Sequence, residues 1–124
     1  YMAPLATRWQ QLGIATLNVD YREVGDDGGW PGSFADWAAS AKLIDTVVAR
    51  HPIDRARITL VGHSAGALPA QWLAMRQGAD GPLGTRTPIT ARAAIVLDGP
   101  GDVAAERDAF DRLCQFAAVD PFMG

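Results

Sequence analysis

The chain has 124 residues, of which 48% are hydrophobic and 20% are charged, and its formal net charge is −3. This size and composition are typical of one small globular domain. The absence of a basic run argues against nucleic acid and anionic membranes as partners, and no apolar run is long enough to span a bilayer. Cys114 is the only cysteine, so an internal disulfide is excluded and the redox compartment is not signalled.

Apolar periodicity predicts elements that alternate between helix and strand. Apolar residues recur every three or four positions in the helical segments, and short β-branched runs bounded by turn residues separate them. In chain order the predicted elements are a helix over 2–12 ended by Gly13, a strand over 14–19, a helix over 33–50, a strand over 57–61, a helix over 65–77, a strand over 93–97 and a helix over 103–116. Gly- and Pro-rich loops are expected over 23–32 and 78–90, and a loop over 117–124. The strands are read as buried on both faces, which predicts an α/β fold with a parallel sheet and helices on both of its faces.

Residues around the first Gly-rich loop are given structural roles. Ser33 and Asp36 resemble a capping box at the start of the second helix, with Asp in place of Glu. Asp20 and Arg22 are expected to form a structural ion pair or a hydrogen-bond bracket below the site around Ser64. Trp30 is either a wall of a substrate pocket or a hydrophobic plug that holds the loop to the body, and the tendency of aromatic residues to pack favours the plug.

A strand, a sharp turn and a helix are predicted to meet at Gly62-His63-Ser64-Ala65-Gly66, which has the pattern G-x-S-x-G. In this context the pattern predicts a nucleophile elbow, in which a strained turn lifts the Ser64 hydroxyl to the carboxyl end of the strand. Gly62 and Gly66 are expected to keep Cβ atoms out of the crowded turn. The Ala65 N–H then points at a developing oxyanion. The alternative is a tight Gly-rich turn with a helix-capping serine.

The chain resembles the α/β-hydrolase fold, and within it the esterase-like branch that carries an HGG-type oxyanion loop. The resemblance rests on the order and spacing of the Gly62 to Gly66 turn, Asp20-Tyr21-Arg22, Asp36-Trp37 and Leu97-Asp98-Gly99. It implies that the three strands are the fourth, fifth and sixth of an eight-stranded sheet. Ser64 matches the family nucleophile, and the Ala65 N–H matches one oxyanion donor.

The resemblance also implies parts of the site that these residues do not supply. The HGG loop with the second oxyanion donor would precede Tyr1, and the usual acid and the catalytic histidine would follow Gly124. No histidine follows Ser64, and His63 is read as lining the site rather than as a base, because a neighbour in a strained turn points away from the serine oxygen. We therefore expect residues 1–124 to be the central part of one α/β-hydrolase domain, truncated at both ends.

Two carboxylates follow the last predicted strand at the active-site edge. Some members of the fold take the triad acid from this position, so Asp98, with Asp102 beside it, is a candidate acid. The alternative is that both serve only the chemistry of a Gly-Pro turn. His51 is expected to cap a helix end at the opposite edge of the sheet. No metal and no organic cofactor are predicted, since neither histidine has a ligand partner at metal-site spacing.

Functions of two classes remain open. The resemblance implies a serine hydrolase acting on carboxylic esters, and Gly-His-Ser-Ala-Gly-Ala is also similar to aryl-formamide hydrolases, so amide cleavage is an alternative. The other class is a truncated, non-catalytic hydrolase-like module used for binding. The expected partner of the enzyme is a small-molecule ester or amide, while neither oligomeric state nor compartment is indicated.

Overall fold

Helices and strands alternate through most of the chain. The computed structural model describes residues 2–76 and 89–124. Within those ranges the elements are α1 (Ala3–Gln11), α2 (Gly32–Arg50), β1 (Thr59–His63), α3 (Ala67–Met75), β2 (Ala93–Leu97) and α4 (Arg107–Cys114). Short 3₁₀ turns lie at Arg55–Arg57, Ser64–Gly66 and Asp120–Phe122. Most of the second predicted loop, and Gln77 at the end of the third predicted helix, lie outside the described residues.

The two strands are parallel neighbours. They pair in register from Thr59 with Ala93 to His63 with Leu97. This arrangement confirms the α/β class and the parallel sheet. β2 has its predicted bounds, whereas β1 begins two residues later than predicted, because Asp54 caps the preceding 3₁₀ turn through its side chain.

The predicted strand over residues 14–19 is not present as a strand. The sheet formed by the described residues contains β1 and β2 alone, and the side chains of Ile14, Leu17 and Val19 are exposed. A β-branched sequence becomes a strand only where a neighbour pairs with its N–H and C=O groups. No described segment provides that neighbour, so this part of the three-strand prediction is wrong for the structure as described.

An aromatic cluster fills the space between α2 and α3. Trp37 is only 1% exposed, and its ring centroid lies 4.4 Å from that of Phe34 and 5.8 Å from that of Trp72. Phe122, from the last 3₁₀ turn, stacks on Trp37 at 6.2 Å with an interplanar angle of 6°. The same core includes Ala41, Leu73, Ile89 and Ala91. Because large aromatic side chains bury the most apolar area per residue, this cluster holds α2 against α3.

The two faces of the sheet are covered by other elements to different extents. Leu60 packs against the aromatic cluster, so the alternation of side chains places this residue and Gly62 on the face toward α3. The other face carries Ile95 and Leu97, which are 46% and 42% exposed. All five residues of β2 are exposed, so the predicted burial of this strand is wrong. The physical reason is that β2 has one strand neighbour, and among the described residues α3 packs against the strands from one side.

Arg22 organises the loop before α2. Its Nε and Nη2 atoms donate to the two carboxylate oxygens of Asp36 at 2.9 Å each, and its backbone N–H donates to the same carboxylate at 3.0 Å. Ser33 Oγ accepts a bond from the Gly29 N–H at 2.8 Å and donates to the Arg22 carbonyl at 2.7 Å. The predicted capping box and the predicted Asp20–Arg22 pair are therefore both wrong, because a bidentate guanidinium–carboxylate fork takes Asp36. These hydrogen bonds with Arg22 hold the pKa of the Asp36 carboxyl below its usual value of 3.8.

Trp30 packs against the aromatic cluster from the loop. Its ring meets that of Phe34 edge-on at 5.0 Å, and its backbone N–H donates to the Pro121 carbonyl at 2.6 Å. These contacts join the loop to the C-terminal 3₁₀ turn, as the plug interpretation predicts.

Candidate active site

The chain turns sharply where β1 ends. His63 is the last residue of the strand, and Ser64 has a φ of 53°, which lies in the left-handed region. This conformation costs a non-glycine residue about 1–2 kcal/mol and persists only where the surroundings fix it. The 3₁₀ turn Ser64–Gly66 leads directly into α3, and Ser64 itself is exposed. The order of strand, strained serine and helix is the backbone geometry that a nucleophile elbow requires.

The two glycines of the turn have different structural roles. A Cβ on Gly62 would overlap the carbonyl oxygen of Gly66 and would lie 2.9 Å from the Ala67 nitrogen. At Gly66 an added Cβ would meet no atom within 4 Å apart from the neighbouring backbone of its own turn, and φ is −67°. The predicted crowding is therefore confirmed at Gly62 and wrong at Gly66. The turn folds back over Gly62 at the end of β1, whereas no other described part of the chain packs over Gly66.

Ala65 follows the strained residue and is exposed. It is the second residue of the 3₁₀ turn, and the first N–H groups of a helix have no acceptor within that helix. This is the position in which the resemblance places one oxyanion donor.

The two histidines lie at different ends of the described structure. His63 is half-buried at the carboxyl end of β1, next to Ser64. His51 follows α2, and its N–H donates to the Val47 carbonyl at 2.9 Å, so it ends the helix as predicted. Neither histidine follows Ser64 in the chain.

Asp98 lies beside Ser64 because of the register of the sheet. His63 pairs with Leu97, and Asp98, the residue after Leu97, has a φ of 50°. Asp98 is exposed at the carboxyl edge of the strands. The structure thus brings the candidate acid to the same edge as the serine, in a left-handed turn that Asp tolerates better than most residues.

Asp102 serves the turn that follows. Its Oδ1 accepts hydrogen bonds from the N–H groups of Ala104 and Ala105 at 3.0 Å each. Glu106 Oε1 accepts from the N–H groups of Gly101 and Asp102 at 3.1 and 3.2 Å. Because of these turns, α4 begins at Arg107, four residues later than predicted. The hydrogen bonds of Asp102 match its interpretation as a turn residue.

Gly99 and Gln71 border the same place and were not among the predicted site residues. A Cβ on Gly99 would overlap the Ala67 methyl group and would lie 2.6 Å from the Ser64 carbonyl oxygen. Gln71 Nε2 donates to the Pro100 carbonyl at 2.5 Å. A glycine two residues after the end of a strand is a signal that could have indicated the first contact. The second joins residues 29 positions apart, and no local pattern indicates it.

Residues 2–76 and 89–124 lack both a cluster of metal ligands and a helix that could span a membrane. No group of three or more His, Cys, Asp and Glu side chains there is placed to hold a metal ion. No helix in the same ranges is both long enough and apolar enough to cross a membrane.

Comparison with known proteins defines the family. A family model described as the alpha/beta hydrolase family matches residues 1–123. Because that match spans nearly the whole chain, the chain belongs to the α/β-hydrolase family, whose members are in general hydrolytic enzymes. No curated protein and no solved structure gives a significant match.

Proposed function

We propose that this chain provides the nucleophile of a serine hydrolase that cleaves carboxylic esters. The observation that carries the proposal is the left-handed Ser64, with a φ of 53°, directly after a parallel strand and directly before a helix. A serine kept in a strained and exposed conformation is characteristic of a functional site. Membership of a family of hydrolases supports the same conclusion.

The chemistry follows from acyl transfer. Ser64 Oγ attacks the ester carbonyl carbon while its proton passes to a histidine, and the Ala65 N–H stabilises the negative oxygen that forms. The C–O bond to the leaving group then breaks, and the alcohol departs with that proton. Water hydrolyses the acyl-serine by the same steps, which releases the acid and restores Ser64. The histidine and the second oxyanion donor of this proposal come from residues outside the 124 of this chain.

The acid that orients the histidine has two candidate sources. The resemblance places it after the seventh strand, outside this chain. Asp98 is the alternative, because the register of the sheet puts it beside Ser64. The turn geometry of Asp98 explains its presence without a catalytic role, so the proposal does not depend on it.

Two other functions compete with the ester hydrolase. An aryl-formamide or other amide hydrolase would use the same Ser64 chemistry with an amine as the leaving group. A non-catalytic binding module would keep the fold without a histidine base. The first alternative differs only in substrate, and the second in whether Ser64 reacts at all.

The proposal is tested by hydrolysis assays on the protein expressed from its complete reading frame. We expect release of 4-nitrophenol from a 4-nitrophenyl acyl ester, and its loss by a factor of about 10³ or more in Ser64→Ala. Ser40→Ala, a serine on α2 that bonds the Asp36 carbonyl, is the matched control and should keep the activity. Faster turnover of an N-formyl anilide would favour the amide alternative, and a folded protein inactive on both substrates would contradict the proposal.

A further inference from the structure

We propose that Gln71 is a positioning residue for Ser64. It ties the turn over residues 98–102 to the middle of α3, and this turn holds the strained backbone of Ser64. The inference rests on the proposed function of Ser64, and it adds a residue that lies outside the G-x-S-x-G sequence.

The turn lies along one face of α3. Ala67 and Gln71 are four residues apart in α3, so their side chains project from the same face of the helix. The Ala67 methyl is in contact with Gly99, and Gln71 Nε2 donates to the carbonyl of Pro100 at 2.5 Å. Pro100 is buried, whereas Gln71 is half-buried. Gly99 and Pro100, which are consecutive in the chain, therefore contact residues that are one helical turn apart in α3.

The turn also touches the serine backbone. A Cβ built on Gly99 would lie 2.6 Å from the carbonyl oxygen of Ser64, so the two backbones are packed without space for a side chain. A left-handed serine is retained only where its neighbours determine its conformation. Gly99 is such a neighbour, and its distance from Ser64 depends on how firmly the turn is held.

Among the described residues, three attachments hold the turn besides the packing of Gly99 against Ala67 and Ser64. Its first residue follows Leu97, which pairs with His63 across the sheet. Its far end is held by Glu106 Oε1, which accepts from the N–H groups of Gly101 and Asp102. Gln71 attaches the middle to α3. Loss of that hydrogen bond would leave the turn fixed at both ends and loose where it contacts Ser64.

Gln71→Glu tests the hydrogen bond with little change of size. An ionised glutamate has no proton to donate and would face the Pro100 carbonyl oxygen, whereas a protonated glutamate can donate. We expect kcat for the 4-nitrophenyl ester to fall about three- to tenfold at pH 8, with KM changed less than about twofold. The half-buried position opposite the Pro100 carbonyl oxygen should raise the pKa of the introduced carboxyl, and the ratio of variant to wild-type kcat should rise again as the pH falls through that pKa and the carboxyl becomes protonated. Gln10→Glu on the exposed face of α1 makes the same chemical change away from the turn, and its ratio should stay near one.

Gln71→Met provides the second variant. It has similar length but no donor, so its kcat should fall by a similar factor and should not recover at low pH. It also keeps the test decisive if the glutamate variant does not fold. Both are measured in the protein from the complete reading frame, and the concentration of active enzyme is determined with a fluorophosphonate.

The outcomes separate the two proposals. If the wild-type protein neither hydrolyses the ester nor reacts with the fluorophosphonate, the proposed function fails and the role of Gln71 fails with it. If the wild type is active but the two Gln71 variants keep its kcat at every pH, the positioning role is overturned and the proposed function stands. A lower melting temperature with unchanged kcat would equally overturn it, since Gln71 would then be merely structural.

Discussion

Ser64 and Asp98 directly follow the paired last residues of the neighbouring strands β1 and β2. Their predecessors His63 and Leu97 are partners in the parallel ladder, and the two residues have φ values of 53° and 50°. The carboxyl ends of parallel strands form the edge at which open α/β sheets bind ligands. Two strained and exposed polar residues therefore stand side by side where the fold places its chemistry.

The glycines of the elbow provide a matched pair of substitutions. Gly62→Ala should destabilise the protein by about 1–3 kcal/mol, because the new methyl group would overlap the Gly66 carbonyl oxygen. Gly66→Ala should be neutral or stabilising by up to about 1 kcal/mol, because its φ of −67° suits alanine. Urea unfolding of the whole protein measures both values. Equal destabilisation by the two substitutions would show that the elbow is packed differently.

The strained conformation of Ser64 predicts that glycine is more stable than alanine at this position. Ser64→Gly should raise the free energy of unfolding by about 1 kcal/mol relative to Ser64→Ala, because glycine adopts a φ of 53° without strain. Both variants lack the hydroxyl group and should be inactive toward esters. Thermal unfolding at equal protein concentration measures the difference, and an alanine variant as stable as the glycine variant would argue against the left-handed serine.

Asp98→Asn separates the acid interpretation from the turn interpretation. Asparagine keeps the size of the side chain and tolerates the positive φ, so we expect a folded protein with kcat/KM within about threefold of wild type. Asp102→Asn is the companion variant, because its side-chain oxygen can still accept the two N–H bonds of the turn. A loss of about 10⁴ in Asp98→Asn alone, the size expected when a triad acid becomes an amide, would assign the acid to Asp98.

The ion pair between Arg22 and Asp36 predicts that the stability of the protein depends on pH. The pKa of Asp36 is lowered chiefly by its hydrogen bonds with Arg22, so folding favours the ionised carboxylate. The stabilisation is complete above the usual pKa of 3.8 and is lost as the pH falls through the lower folded value. The melting temperature of the wild type should therefore exceed that of Asp36→Asn at pH 6, and the difference should shrink below about pH 4.

Arg22→Lys is the partner substitution in that experiment. Lysine keeps the charge but cannot donate two parallel hydrogen bonds to the carboxylate. It should lower the melting temperature at pH 6, although Asp36 retains a positive neighbour. A difference between wild type and Asp36→Asn that stays constant from pH 6 to pH 3 would contradict the assigned coupling.

The elements predicted correctly are those whose structure depends on residues that are neighbours in the chain. The bounds of β2 are as predicted because a short β-branched run lies between an arginine and an Asp-Gly-Pro turn. Gly13 ends α1 with a φ of 78°, as its lack of a Cβ allows. The serine turn was predicted from its glycines and from the strand before it, and the backbone strain at Ser64 agrees with that reading.

Contacts between distant residues account for the differences. Asp36 was assigned to a cap within its own helix, but Arg22, fourteen residues earlier, offers a bidentate partner. Residues 14–19 have the composition of a strand, and a strand also needs a neighbour to pair with. Gly66 shows the same limit, because the space around a glycine is set by the chain that packs against it and not by the glycine's own sequence.

Covalent labelling tests most directly whether Ser64 is a reactive nucleophile. The protein from its complete reading frame is treated with a fluorophosphonate and digested, and the modified peptide is identified by mass spectrometry. We predict one phosphonylated residue, Ser64, in the wild type and no modification of the Ser64→Ala variant. A folded wild-type protein that remains unmodified, or that is modified on another serine while Ser64 stays free, would contradict the account.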